Sequence, residues 1–191
     1  MGEAACTEVL GFSQTGQWYV HLSLDWQGKT QGGADIVDWA EPNNSVWDIQ
    51  VANRVCDQGE VERVVLNISS GFDIVWEDEI SSAVANIRDQ YAGVQQIILQ
   101  PVVGAPNGGS CSFGATEVRA SANHPIISAA IDNVAGGDVI AGLAPTVGDC
   151  SHYSDQQGHI TTEGGQFVAD QVADFYTNVF EAAVTFDNEV Y

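Results

Sequence analysis

Short runs of Val, Ile and Leu recur along the chain, separated by longer stretches in which apolar residues fall every three or four positions. Thr7-Glu8-Val9-Leu10-Gly11-Phe12 predicts a short strand ending in a Ser-Gln-Thr-Gly turn. Val61 to Ile68 predicts a stronger strand, because a nearly continuous aliphatic run leaves no polar face, as in a parallel strand covered on both sides. Val94 to Val103 predicts a third, closed by the loop Gly104-Ala105-Pro106-Asn107-Gly108-Gly109. Asp138 to Ala144 predicts a fourth. Helical spacing appears at Ile80, Val84, Ile87 and Tyr91, again at Ile127, Ala130, Ile131 and Val134, and in a long terminal helix at Val168, Val172, Phe175 and Val179. The stretch from Ser13 to Gly32 opens helically but is short for a full helix and strand, so a reduced strand is expected there.

Strands alternating with helices predict an α/β fold: three layers, α/β/α, around a central parallel sheet of about five strands, flavodoxin-like, with residues 1–191 as a single domain. In such sheets, sites form beyond the carboxyl ends of the strands. That directs attention to Ser13-Gln14-Thr15, Ser69 to Asp73, Gly104 to Cys111, and Pro145 to His159.

Charge then narrows the function. The chain carries 26 Asp and Glu against 5 Lys and Arg, a formal charge of -21. Such a surface repels phosphate backbones and anionic membranes, so neither nucleic acid nor membrane is an expected partner. It also offers little to attract an anionic substrate, which favours a neutral ester or sugar. Five Trp, five Tyr and seven Phe supply enough apolar surface for a core and argue against disorder. No acidic calcium-loop motif occurs, and no run approaches the roughly 18 apolar residues of a membrane span. The start, Met1 to Cys6, has neither a basic nor an apolar leader region, as in a mature chain of a secreted or periplasmic protein or in a cytosolic start.

Cys6, Cys56, Cys111 and Cys150 lack the spacing of a zinc or redox motif, so no metal is expected, and their even number fits two disulfides. Cys111 and Cys150 fall in loops at the carboxyl edge of the predicted sheet, and Cys6 and Cys56 precede strands at the other edge. The expected pairs are therefore Cys6–Cys56 and Cys111–Cys150.

Gln27-Gly28-Lys29-Thr30 resembles the end of a phosphate-binding loop, but Ser23 stands where the first glycine belongs, and Gly32-Gly33 follows where a helix should begin. A nucleotide site is rejected. Ser13 is more promising: one residue past a strand and opening a helical stretch, it exposes a hydroxyl at the sheet edge beside backbone N–H groups. An ordinary helix N-cap is the alternative. A nucleophilic serine needs a base, and the base an orienting carboxylate. Of His21, His124, His152 and His159, the last lies in the turn-rich Ser154 to Gly164 segment, with Asp155 close enough to hold one imidazole nitrogen. His21 and His124 suit packing roles.

These blocks resemble those of the SGNH (GDSL-type) hydrolases, a family of serine esterases and lipases. Gly11-Phe12-Ser13 resembles the family's Gly-Asp-Ser, and Asp155 to Gly164 its Asp-x-x-His-Leu-Thr-x-x-Gly before a terminal helix. Ser13-Gln14-Thr15-Gly16-Gln17, Gln31-Gly32-Gly33-Ala34, Trp39-Ala40-Glu41-Pro42-Asn43 and Trp47 are similar to stretches of secreted bacterial members. The resemblance implies Ser13 as nucleophile, His159 as base and Asp155 as its partner. It implies an oxyanion hole from the Ser13 and Gly33 (or Gly32) amides, with Gln14, Gly71 and Trp39 around the substrate. Departures are Phe12 for the family's aspartate, one extra residue between Asp155 and His159, and Phe72 where an asparagine donor stands, for which Gln14 or Asn67 are substitutes to consider. Asp149-Cys150-Ser151-His152 has the family spacing but lacks the Thr-x-x-Gly that follows His159, and ranks second.

The expectation is a monomeric serine esterase, needing no cofactor, that removes short acyl groups such as acetyl from carbohydrates or small alcohols; no long apolar lid suits a lipid. A non-catalytic relative binding carbohydrate on Trp18, Trp26, Trp39 and Trp47 is the alternative. A flavodoxin-like module for a phosphate-bearing cofactor is a third reading, opposed by the scarcity of basic residues.

Overall fold

A computed structural model describes residues 5–56, 60–69, 71 and 74–186, with side chains through 180. Five strands are parallel: β1 (Thr7–Gly11), β2 (Gln27–Thr30), β3 (Arg63–Ile68), β4 (Gln96–Pro101) and β5 (Val139–Ala141), in the order β2-β1-β3-β4-β5. This is the doubly wound order in which the chain reverses direction between β1 and β3, leaving a crevice at their carboxyl ends. Helices α1 (Ser13–Tyr19) and α5 (Thr162–Phe186) pack together, while α2 (Ile36–Ala40), α3 (Trp76–Gln90) and α4 (Arg119–Val134) pack in series. The expected three-layer α/β/α arrangement holds.

The central strands are buried on both faces: Val64, Val65, Leu66, Ile97, Ile98 and Leu99 are all fully inaccessible. Each such side chain contributes about 1.5–3 kcal/mol by leaving water, which is why their sequence reads as continuous apolar runs. The apolar face of α3 closes on the sheet through Ile80, Ala83, Val84 and Ile87.

Gln27–Thr30, rejected as a phosphate loop, is the reduced strand β2 expected between Ser13 and Gly32, and a side chain at Gly28 would stand 3.0 Å from the Tyr19 ring, so glycine serves a close approach there. Two expectations need correction. The second helix, expected from its spacing at Ile127 to Val134, begins at Arg119 with Pro125 inside it. A proline there loses its N–H bond and crowds the carbonyl four residues back, a cost of about 3 kcal/mol that burial of Ile127, Ala130 and Ile131 offsets. The last strand is shorter than Asp138 to Ala144, because β5 is an edge strand paired only to β4.

Cys6–Cys56 and Cys111–Cys150 are both bonded, as their places at opposite sheet edges predict. Two disulfides fit an extracellular protein. Among the described residues no helix is long and apolar enough to cross a membrane. The Cys111–Cys150 bond closes a separation of 39 residues, so it removes much freedom from the unfolded chain. Replacing both cysteines by serine is expected to lower the unfolding free energy by about 4 kcal/mol, read by denaturant titration.

Candidate active site

The turn from β1 into α1 is sharp. Phe12 N–H donates to Thr15 Oγ1 at 3.3 Å, and a Cβ on Gly11 would lie 2.3 Å from that same oxygen. Only glycine lets Thr15 fold back over the strand end, and the consequence is that Ser13, first residue of α1, faces the crevice.

His159 reaches Ser13 from a loop 146 residues away. Ser13 Oγ lies 2.8 Å from His159 Nε2, and His159 Nδ1 lies 2.5 Å from Asp155 Oδ2. The carboxylate accepts a hydrogen bond from Nδ1–H, which leaves the Nε2 lone pair to accept from the serine hydroxyl. The remaining Asp155 oxygen accepts the Gly158 and His159 backbone N–H groups at 2.9 and 3.0 Å. Burial raises the Asp155 carboxyl, but the bonds from His159 and from the two backbone N–H groups outweigh it, and the group sits below its ordinary range. The extra residue between Asp155 and His159 is absorbed at Gly158, where φ is +101°. A Cβ there would meet Ala120 Cβ at 2.2 Å, so the loop closes directly against the start of α4.

Two glutamines of α1 hold this loop. Gln14 Nε2 donates to Gly158 O at 2.6 Å while its Oε1 accepts Val103 N–H at 2.8 Å; Gln17 Oε1 accepts Ile160 N–H at 2.9 Å. The helix that carries Ser13 thus also fixes the segment that carries His159. Gln14 lines the crevice, yet it is 2% exposed with both ends of its amide engaged in holding the loop.

The crevice measures about 230 Å³ and is lined by Ser13, His159, Gly33, Gly71, Asp35 and Arg119, with Phe12 as an apolar wall. Gly33 has φ +82°, and its N–H finds no acceptor among the described residues. Gly71 also lines the crevice, but its N–H donates to Asp35 Oδ2 at 3.1 Å. Burial is the main cause that raises the Asp35 carboxyl. Asn67 cannot serve as a donor in place of the missing asparagine: its Nδ2 points to Leu10 O at 3.5 Å, and its Oδ1 accepts from Gln100. Gln14 spends one Nε2 hydrogen on Gly158 O and its Oε1 on Val103 N–H. Phe72 lies outside the described residues.

Trp39 does not reach the crevice. It is fully buried beside Trp47, with ring centroids 5.1 Å apart. Trp18, Trp26 and Trp47 are buried as well, so the aromatic sugar platform expected of a non-catalytic relative is absent. His152 packs on Phe167, and Asp149 caps a short turn by accepting Ser151 N–H, so the second-choice pair stands apart from Ser13. His124 is held by Val102 O, and His21 lies against Gly165. Among the described residues no group of three or more metal-ligating side chains gathers.

Arg119 and Asp35 escaped the sequence reading. Their signal was faint: Arg119 is one of 5 basic residues in the chain, and Asp35 follows the Gly-Gly pair. Placing Arg119 in the crevice required the true start of α4. Comparison with protein-family models, with curated proteins and with solved structures finds no match to this chain.

Proposed function

We propose that the protein is a serine ester hydrolase of the SGNH type, acting on short-chain acyl esters of carbohydrates or small alcohols. The single observation that carries this reading is the Ser13–His159–Asp155 chain, with links of 2.8 and 2.5 Å, opening onto a small crevice. His159 and Asp155 side chains are 36% and 35% exposed, so water reaches the base.

Ser13 Oγ attacks the acyl carbon as its proton passes to His159 Nε2. Negative charge gathers on the carbonyl oxygen, within the field of the Ser13 and Gly33 N–H groups. The C–O bond to the alcohol breaks, and the alcohol takes the proton from Nε2. A water then gives a proton to the same nitrogen and attacks the acyl-serine; as the acyl C–O bond to Ser13 breaks, Nε2 returns that proton to Oγ, freeing the acid and Ser13. Asp155 keeps Nδ1 protonated throughout. No cofactor enters these steps. With two backbone donors and no amide side chain at the oxyanion, activated or short acyl esters are the natural substrates. The two disulfides favour work outside the reducing cytosol, in a secreted or periplasmic setting, and a monomer suffices because one chain supplies all three triad residues.

Incubation with a fluorophosphonate probe tests the reading. Folded protein is expected to carry one covalent adduct, on Ser13 by peptide mapping, and heat-unfolded protein none. Folded protein that stays unlabelled under conditions that saturate a known serine hydrolase refutes it.

A further inference from the structure

Arg119 shares the crevice with Ser13 yet takes no part in the triad. Its backbone N–H donates to Gln156 O at 2.9 Å, inside the loop between Asp155 and His159, so it is held in register with the base. Its side chain reaches Gly71, where a Cβ would stand 3.0 Å from a guanidinium nitrogen. A side chain at position 71 would therefore press on the arginine where it now lies.

Three of the other four cations of this acidic chain are engaged elsewhere, and the fourth, Arg54, does not line the crevice. Lys29 pairs with Glu8 at 3.7 Å and Arg88 with Asp138 at 2.6 Å, while Arg63 lies over the Phe180 ring and donates to Gln96. The Arg119 guanidinium has neither an ion pair nor a side-chain hydrogen bond among the described residues. Asp35 lies in the same crevice, and one of its oxygens is already taken by the Gly71 N–H. Asp35 also interacts with Arg119 electrostatically, but among the described residues no acceptor takes the guanidinium N–H groups, and a planar fork of this kind binds a carboxylate through two parallel bonds.

We infer that Arg119 is a specificity-determining residue that reads a carboxylate on the substrate, so that the protein prefers esters bearing a carboxylate over neutral esters of the same size. This rests on the esterase reading and sharpens its substrate class. The overall charge of -21 argues for neutral substrates at long range. That field is screened within about 10 Å in ordinary salt, and inside the crevice the nearby guanidinium outweighs it.

Acetate release from 3-acetoxybenzoate and from 3-acetoxybenzamide, alike in size and different in charge, tests the inference. After correction for uncatalysed hydrolysis, kcat/KM of the wild type is expected to favour the carboxylate by about tenfold or more. In Arg119→Gln that ratio should fall to about one, and Arg119→Lys, which keeps the charge without the fork, should recover part of it. A wild-type ratio at or below one overturns the assignment, as does a ratio that Arg119→Gln leaves standing. Binding of 3-hydroxybenzoate and 3-hydroxybenzamide to the Ser13→Ala protein, followed by NMR titration, reads Arg119 without turnover. Tighter binding of the carboxylate, lost in the Ser13→Ala, Arg119→Gln double variant, supports the role even if the fluorophosphonate test fails. Equal binding of the two ligands overturns it.

Discussion

Ser13→Ala is expected to lower kcat by about 10⁴- to 10⁶-fold and to abolish fluorophosphonate labelling, with the folded structure unchanged. The size follows from what the substitution removes. Without Oγ there is no acyl-serine, and any residual rate comes from water held near the Ser13 and Gly33 amides. Ser13 contributes one hydrogen bond, to His159, and no core packing, so circular dichroism and the unfolding midpoint should move little. His159→Ala is expected to fall in the same range, and the double variant to lose no more than either single one, because the two act as a unit. Additive losses would mean that the residues act separately, and full activity in Ser13→Ala would place the nucleophile elsewhere.

Asp155→Asn is expected to cost about 10⁴-fold in kcat while KM changes little, since the amide can donate to Nδ1 and so favours the tautomer that leaves Nε2 unable to accept from Ser13. A pH dependence accompanies it. The folded Asp155 carboxyl lies below the ordinary value of about 3.9. Its contribution to stability is therefore fully present above that value and is lost as pH falls through the folded value. With the side chain 35% exposed, solvent screening keeps this contribution small. Acid unfolding of Asp155→Asn should accordingly show a slightly shallower loss of stability below pH about 4 than wild type, measured as unfolding free energy against pH. A steeper loss in the variant would contradict the charged bonding assigned to Asp155.

Much of the fold was legible because buried parallel strands leave an unmistakable record. Val64 to Leu66 and Ile97 to Leu99 are apolar without alternation, as strands covered on both faces require. Weaker elements left weaker records. β2 contains Gln27, Gly28 and Lys29, and leaves no aliphatic run because its polar groups are used internally: Gln27 reaches Glu8, and Lys29 pairs with it. The start of α4 was hidden behind Pro125, which local rules place at a boundary and tertiary packing carries inside the helix.

The candidate site divides along the same line. Glycine next to an edge serine, and a turn-rich Asp–His segment before the last helix, are local patterns, so Ser13, Asp155 and His159 could be named from the chain alone. The function of Gln14 could not be, because its two partners, Val103 and Gly158, lie 89 and 144 residues away. Trp39 misled for a related reason: an aromatic ring looks the same in sequence whether it faces a sugar or the core, and here it is wholly inside.

By itself, then, the sequence determined the α/β/α class, the two disulfide pairs and the identity of the residues proposed as a triad, since each rests on local periodicity or on which edge of a parallel sheet a residue must occupy. Tertiary structure alone decided that the Asp155–His159 loop swings onto Ser13, that four tryptophans turn inward, and that the Arg119 guanidinium reaches Gly71 in the same crevice. Those outcomes depend on distances between segments remote along the chain. Such distances are set by how α1, α4 and the last loop pack at one sheet edge, and no local pattern encodes them.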